Sequence, residues 1–170
     1  MNLRELRRSC AARVGALDLP SPFAVRTFCA SLERTRRRPL HVIPRAFPAG
    51  GPSGGCVSTG TSDYIFYESH TSVLHQDHII LHEVAHLLCE HQPVVSHDEI
   101  ERLLFPDLDP KVIERVLGRT CDASWPEQEA ELIASLILAR ATRHPDDVVR
   151  AAAGAVTPFA ARAAWSLGHR

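Results

Sequence analysis

The sequence predicts one α+β domain, mostly helical, with a small antiparallel sheet ahead of its most apolar helix. Three observations lead to this fold class. The chain of 170 residues is 45% hydrophobic and 23% charged, which suits a single domain with a buried core. Apolar residues recur at steps of three and four over much of the chain, as they do in amphipathic helices. Two short β-rich runs surround a polar turn between residues 56 and 67, which is typical of a hairpin.

No stretch between the predicted elements is long or polar enough to be a linker, so we expect a single domain over residues 1–170. Its predicted parts are an amino-terminal helical part, a β-rich part, a central part with the most apolar helices and a carboxy-terminal helical part, at residues 1–38, 40–69, 73–143 and 145–170. The formal net charge of −1 gives no general reason to expect nucleic acid or a membrane as a partner. Apolar runs of about five residues are too short to cross a bilayer.

The amino terminus carries arginines throughout and has no unbroken apolar stretch, so no secretory signal is predicted. The cysteines are odd in number and none forms a C-x-x-C pair, which argues against a disulfide framework and a thiolate zinc site. They stand at Cys10, Cys29, Cys56, Cys89 and Cys121. We therefore expect free thiols in a reducing compartment and a cytoplasmic location.

Two helices are predicted in the amino-terminal part. The first spans residues 3–17, where apolar side chains share one face. They are Leu3, Leu6, Cys10, Val14 and Leu17. The second is expected from Pro22 to about Arg36, with proline in its first turn. The basic tail, Arg34 with residues 36–38, is expected to be a basic helix end that suits the helix dipole, with a functional anion contact as the alternative.

The β-rich part is predicted to hold one strand and one hairpin. Leu40–Phe47 is typical of a short strand that Pro44 confines to an edge or an irregular position. A glycine-proline loop follows over residues 49–55. The hairpin has its strands at Cys56–Thr59 and Tyr64–Tyr67.

The chemical signal is the motif His82-Glu83-Val84-Ala85-His86, an HExxH in an apolar helical run from His78 to Cys89. Two histidines four residues apart lie on one face of a helix, where both imidazoles can bind one metal ion. The glutamate between them can accept a proton from a water on that ion, which makes Glu83 the candidate catalytic base. Chance would give about 0.04 such motifs in a chain of this composition. A pair of core histidines that binds no metal is the alternative.

A catalytic zinc site needs a third protein ligand, and a helix predicted from Ser124 to about Arg143 offers three glutamates. Glu127, Glu129 and Glu131 are all candidates on residue chemistry. Glu127 has a second interpretation, because Ser124 and Glu127 have the spacing of a capping box. The choice among the three stays open at this point.

Other histidines lie near the motif. His78 continues the face of His82 and His86, so it is a candidate for orienting a ligand or for binding the metal itself. His75, His91 and His97 are expected at the surface or at helix ends. If the site is catalytic, an oxyanion-stabilising group is required, and Tyr64, Tyr67 or His78 could supply it.

The combination of HIILHEVAH, a downstream EQEAELIA and the upstream SDYIFYES resembles the ImmA/IrrE family of HExxH metallopeptidases over roughly residues 35–140. In that family the first glutamate of the downstream motif is the third metal ligand, which corresponds to Glu127. The family's Asn or Asp position is Glu131 here. This departure makes Glu131 either a partner of a ligand histidine or an alternative ligand.

The resemblance implies a zincin-like fold, a bound Zn²⁺ held by His82, His86 and Glu127, and peptidase activity. It also implies a protein partner of the helix-turn-helix transcription regulator class and an association with toxin–antitoxin systems. The alternative function is a zinc-stabilised module that binds a regulator without cutting it. Further helices are predicted at residues 96–104 and 109–117 and after Thr157.

Overall fold

A computed structural model describes residues 2–47, 51–91 and 124–142 of the chain. Within these residues the fold is α+β, with four helices and a three-stranded sheet. The helices are α1 (Leu3–Gly15), α2 (Val25–Arg36), α3 (Val73–Leu88) and α4 (Ser124–Ala141), and the strands are β1 (Leu40–Arg45), β2 (Gly54–Ser58) and β3 (Asp63–Glu68). The helices predicted at 96–104, at 109–117 and after Thr157 lie outside the described residues, as do His97 and Cys121.

The sheet is mixed, with strand order β1-β3-β2. Strands β2 and β3 pair antiparallel, which confirms the predicted hairpin. The expectation of a wholly antiparallel sheet was wrong, because β1 pairs with β3 in parallel. The chain reverses direction between β1 and β2 and again between β2 and β3, so β3 runs in the same direction as β1. Strand β3 lies between the other two. Residue patterns predict strands but not their direction.

The edge position of β1 agrees with the expectation from Pro44, which has no N–H to donate to a neighbouring strand. The glycine-proline loop was predicted to reach residue 55. Instead, Gly54 and Gly55 are the first two residues of β2 and pair with Tyr67 and Phe66.

The two amino-terminal helices are stabilised at their first turns in different ways. Asn2 caps α1 through a capping box with Glu5, and the buried face of α1 includes Leu6 and Cys10 as predicted. Helix α2 begins at Val25 rather than at Pro22. The residue before its cap is Phe23, whose ring packs against Phe28 with centroids 6.0 Å apart. This hydrophobic staple, rather than the proline, sets the start of α2.

Helix α3 lies at the centre of the described fold, packed against α4 on one side and against β2 and β3 on the other. From Ile79 to Leu87 its apolar side chains are almost fully buried, as are those of the predicted α4 stripe, whereas Val73 and Leu74 in its first turn are exposed. That stripe consists of Ala130, Ile133, Ala134, Ile137 and Ala141. No helix in the described part of the chain is both long and apolar enough to cross a membrane.

An ion-pair cluster around a buried aspartate joins the end of α2 to the turn of the hairpin. We call it the Asp63 cluster; it comprises Asp63, Arg36, Arg38 and Ser58. Arg36 Nη2 lies 3.0 Å from Asp63 Oδ2, and Arg38 Nε lies 2.7 Å from Asp63 Oδ1. The Ser58 hydroxyl donates to the same carboxylate at 2.6 Å. Arg34 and Arg36 do lie in the last turn of α2, as expected of a basic helix end, and Arg36 and Arg38 are in addition structural ion-pair partners of Asp63.

Candidate metal centre

Helix α3 is positioned so that its two motif histidines face α4. Ser72 caps its start by accepting from the His75 backbone N–H at 3.3 Å. Ile80 and Val84 are buried in the core, which fixes the rotation of the helix about its axis. His82 and His86, one turn apart, then lie against the first turns of α4.

Three donor atoms converge between the two helices. His82 Nε2 lies 3.1 Å from His86 Nε2 and 3.2 Å from Glu127 Oε2. Glu127 Oε1 lies 3.4 Å from His86 Nε2. Donors of a tetrahedral zinc site, each about 2.0–2.1 Å from the ion, stand about 3.3–3.4 Å from one another. The spacing of the donor atoms of these three side chains therefore fits a zinc-sized cation, and the same residues form a group that could hold a metal ion.

The three candidate glutamates have different neighbours. The Glu127 carboxylate reaches both motif histidines at Nε2. Glu131 Oε2 lies 3.6 Å from the other nitrogen of His82, Nδ1, and 3.5 Å from His78 Nε2. Glu129 lies 3.4 Å from His91 Nε2. The structure thus places Glu127 where a third ligand is needed, and Glu131 where a partner of a ligand histidine is needed.

The Glu127 carboxylate extends toward α3, where its Oε2 lies 3.2 Å from His82 Nε2. The Ser124 side chain lies outside the described part of the chain, so the predicted capping box stays a prediction.

Glu83 is buried beneath the histidines, with 7% of its surface exposed. The Cys56 thiol of β2 is hydrogen-bonded to its carboxylate. A Cβ atom at Gly54 would come within 2.5 Å of Ile79 Cγ2 and 2.9 Å of Glu83 Oε1, so only glycine lets β2 approach this close. Burial, reinforced by the nearby Glu127 charge, raises the pKa of Glu83 to about 7.

The two motif histidines differ in electrostatic environment. Burial and the neighbouring His82 and His91 lower the pKa of His86 to about 3, so His86 is neutral at physiological pH. Burial also opposes a charge on His82, but the carboxylates around it, Glu131 first, outweigh burial and raise its pKa. Hydrogen bonds from His78 and His82 hold the pKa of Glu131 well below its usual range.

His91 belongs to this site, although the sequence predicted only a surface or helix-end position. It follows the end of α3, where Glu90 takes a left-handed conformation with φ 59°. The His91 N–H donates to the His86 carbonyl at 3.0 Å, and the Glu90 N–H donates to the Leu87 carbonyl at 3.4 Å. This Schellman motif turns the chain back, so that His91 Nδ1 lies 3.3 Å from His86 Nδ1.

The sequence contained no usable signal for His91 or Cys56. Helical spacing ends at Leu88, so the distance of five residues between His86 and His91 predicts nothing about their contact. Cys56 reaches Glu83 only through the packing of β2 on α3.

The candidates for oxyanion stabilisation are separated by the fold. Tyr64 stacks on His41 with ring centroids 4.8 Å apart, and alternation along β3 puts it on the face opposite Ile65, which packs in the core. The Tyr67 ring lies under the Arg26 guanidinium, 4.7 Å away. Of the three candidates, only His78 contacts a residue of the site, through Glu131.

No known protein family, curated protein or solved structure matches this chain. The family resemblance of the motifs therefore stays a prediction.

Proposed function

We propose that the chain is a zinc-dependent peptidase of the ImmA/IrrE type with a zincin-like active site. The observation that carries the proposal is the convergence of His82 Nε2, His86 Nε2 and the Glu127 carboxylate at 3.1–3.4 Å, beside a buried glutamate. Two imidazoles and one carboxylate are the ligand set of many catalytic zinc sites, which leave a fourth position for water or substrate.

The surroundings of the histidines support a ligand role. A neutral imidazole is the form that binds a metal, and His86 is held neutral by burial. Glu131 accepts at His82 Nδ1, while His91 contacts Nδ1 of His86. Partners on the outer nitrogen fix the tautomer and the ring orientation, so that Nε2 of each histidine is directed at the ion.

Glu83 supplies the acid–base chemistry. Zinc held by these residues would supply a Lewis acid and lower the pKa of water, so that the water could lose a proton and attack a carbonyl near neutral pH. Glu83 takes the proton of the attacking water and then delivers it to the nitrogen of the leaving amine. A buried carboxylate beside the converging donor atoms is suited to both steps, because it can accept a proton and release it again.

The proposed substrate is a protein partner, specifically a transcription regulator of the helix-turn-helix class. This choice rests on the motif resemblance and not on the geometry of the site.

The decisive experiment compares the zinc-loaded chain with Glu83→Gln. We expect the variant to bind zinc with nearly unchanged affinity and to lose cleavage of its regulator by about 10²–10⁴-fold, because only the proton transfer is removed. Glu33→Gln, an exposed glutamate on α2, is the matched control and should keep full activity. Cleavage products are followed by mass spectrometry and zinc by elemental analysis.

Undiminished cleavage by Glu83→Gln would contradict the mechanism. A regulator that binds both proteins equally and stays intact would instead favour a zinc-stabilised binding module, in which the metal contributes folding energy alone.

A further inference from the structure

A second convergence of metal-binding side chains lies at the end of α3, next to the first site. Cys89, His91 and Glu129 each present one donor atom, and these atoms all lie within 4.8 Å of one another. His91 Nε2 is 3.4 Å from Glu129 Oε2. Only 17% of the His91 side chain and 15% of the Glu129 side chain are exposed. None of the three belongs to the ligand set proposed for the first site.

The fold builds this cluster from two independent parts. The Schellman motif at the end of α3 turns His91 back beside Cys89, and the first turns of α4 bring Glu129 against both. The Cys89 thiol is hydrogen-bonded to the Glu129 carboxylate. Three donors from two separate segments are thus held together before any ion binds, which lowers the cost of ordering a site.

We propose that Cys89, His91 and Glu129 form a second site for a divalent cation of the zinc class, bound by Cys89 Sγ, His91 Nε2 and a Glu129 oxygen. Thiolate, imidazole and carboxylate together suit zinc and cobalt, whereas magnesium and calcium prefer oxygen ligands alone. The Cys89 thiol gives up its proton to solvent when the cation binds, so one proton is released for each ion taken up at this site.

The two sites are coupled through the contact of 3.3 Å between His86 Nδ1 and His91 Nδ1. This consequence rests on the proposed function, since it requires a metal at the first site. When His86 Nε2 binds a metal, its proton is on Nδ1 and is donated to His91 Nδ1. His91 then carries its own proton on Nε2, toward Glu129, where the second cation would bind. Filling either site therefore opposes filling the other.

The experiment is a Co²⁺ titration of the metal-free full chain, followed by the absorption band that cobalt shows when a thiolate is a ligand. The first site has no sulfur ligand, so this band reports the second site alone. We expect the band in the wild type and its loss in Cys89→Ser. It should persist in Cys29→Ala, the control, because Cys29 is a buried cysteine of α2 outside the cluster.

A band that persists in Cys89→Ser, or that is absent from the wild type, would overturn the second site. If Cys89→Ser does not fold, as judged by circular dichroism, Glu129→Gln makes the same test, with at least a tenfold loss of cobalt affinity expected at this site.

Glu127→Gln separates this proposal from the first. We expect it to keep the thiolate band and to bind cobalt at the second site about tenfold more tightly than the wild type does, because the first site no longer competes. Equal affinity in the two proteins would overturn the coupling. If the first site binds no metal at all, the cobalt–thiolate band of the second site should still appear in the wild type.

Discussion

The described structure contains two polar clusters, and they are neutralised in different ways. In the Asp63 cluster a buried carboxylate is paired with two arginines, at 3.0 Å and 2.7 Å. Around His82 and His86, the ion pairs that Glu127, Glu129 and Glu131 make within the described residues are all with histidines. The first cluster carries its own permanent cations. The second is a set of electron-pair donors.

This difference indicates what each cluster is for. Burying a charge is costly unless a partner compensates it, and the Asp63 cluster is compensated within the chain. Imidazole nitrogens next to carboxylates can direct lone pairs at a common point, and a divalent cation is a partner that such a point accommodates. The Asp63 cluster is therefore expected to stabilise the fold by itself, while the cluster around His82 and His86 is proposed to bind a cation.

The largest expected difference between the clusters is their response to zinc. Zinc at about 1,000 times its dissociation constant should raise the free energy of unfolding by about 4 kcal/mol, because the ion binds the folded state. Thermal denaturation with and without chelator measures this gain. Asp63→Asn should keep the gain. In a Cys89→Ser background, which removes the second proposed site, His82→Ala should lose most of it. A gain of equal size in His82→Ala in that background would break the distinction between the clusters.

Removing the charge of Asp63 should be the next largest effect. We expect Asp63→Asn to lower the free energy of unfolding by about 2–3 kcal/mol in metal-free protein, since two partly buried guanidinium groups lose their counter-ion. Urea denaturation measures the loss. Asp18→Asn is the matched control, because Asp18 is exposed and a change there should stay within about 0.5 kcal/mol. A loss as small as that of the control would show that the ion pairs contribute little.

The same pair should make stability depend on pH. Burial alone would raise the pKa of Asp63, but hydrogen bonds from Ser58 and Arg38, with the arginine charges, outweigh it and lower the pKa below 3.8. The unfolded chain therefore takes up the proton first as the pH falls. The stabilisation is complete well above pH 3.8 and is lost as the pH falls through the folded pKa. Urea denaturation should show the gap between wild type and Asp63→Asn shrinking below about pH 4. A gap constant with pH would contradict this account.

A smaller effect is expected at the outer edge of the metal centre. Glu131→Gln keeps the shape of the side chain but removes the charge facing His82 Nδ1, and we expect zinc affinity to fall by about 10–100-fold. Competition with a metal-binding dye measures it. Glu127→Gln should lose more, because its carboxylate would be a ligand itself. If Glu131→Gln loses more than Glu127→Gln does, the two glutamates have exchanged roles.

The sequence predicted those parts of the site that depend on local periodicity. A spacing of four residues in an apolar helix was sufficient to place His82 and His86 together, and the stripe of Ala130 and Ile133 predicted the buried face of α4. The choice among Glu127, Glu129 and Glu131 was not determined. It depends on the rotation of α4 against α3, which residue spacing within α4 does not encode.

Contacts between segments that a turn or a strand pairing brings together were also not predicted, because residue spacing within one element does not determine them. The parallel pairing of β1 with β3 and the approach of Cys56 to Glu83 are set by how separate segments pack. The contact of His91 with His86 follows from a left-handed residue at Glu90, a position where glycine is the usual signal. Because position 90 is a glutamate, the sequence indicated neither the turn after α3 nor the contact of His91 with His86.

The smallest expected effect concerns the left-handed residue that ends the helix next to each cluster. Arg37 at the end of α2 and Glu90 at the end of α3 are the non-glycine residues with positive φ in the described chain, at 51° and 59°. Arg37 lies between Arg36 and Arg38 of the Asp63 cluster. Glu90 lies between Cys89 and His91, next to the motif histidines. A non-glycine side chain in this conformation costs about 1–2 kcal/mol. Glycine avoids that cost, but part of the gain is lost because glycine has more conformational freedom in the unfolded state.

Glycine at either position should therefore raise the free energy of unfolding by up to about 1 kcal/mol, measured by urea denaturation of the metal-free protein. The two substitutions should differ in their second readout. Glu90→Gly is expected to leave the Asp63 cluster and its pH dependence unchanged, and Arg37→Gly to leave zinc affinity unchanged. If both glycine substitutions lower the free energy of unfolding, the Arg37 and Glu90 side chains themselves stabilise the helix ends. The backbone turn alone would then not account for the positions of the neighbouring residues.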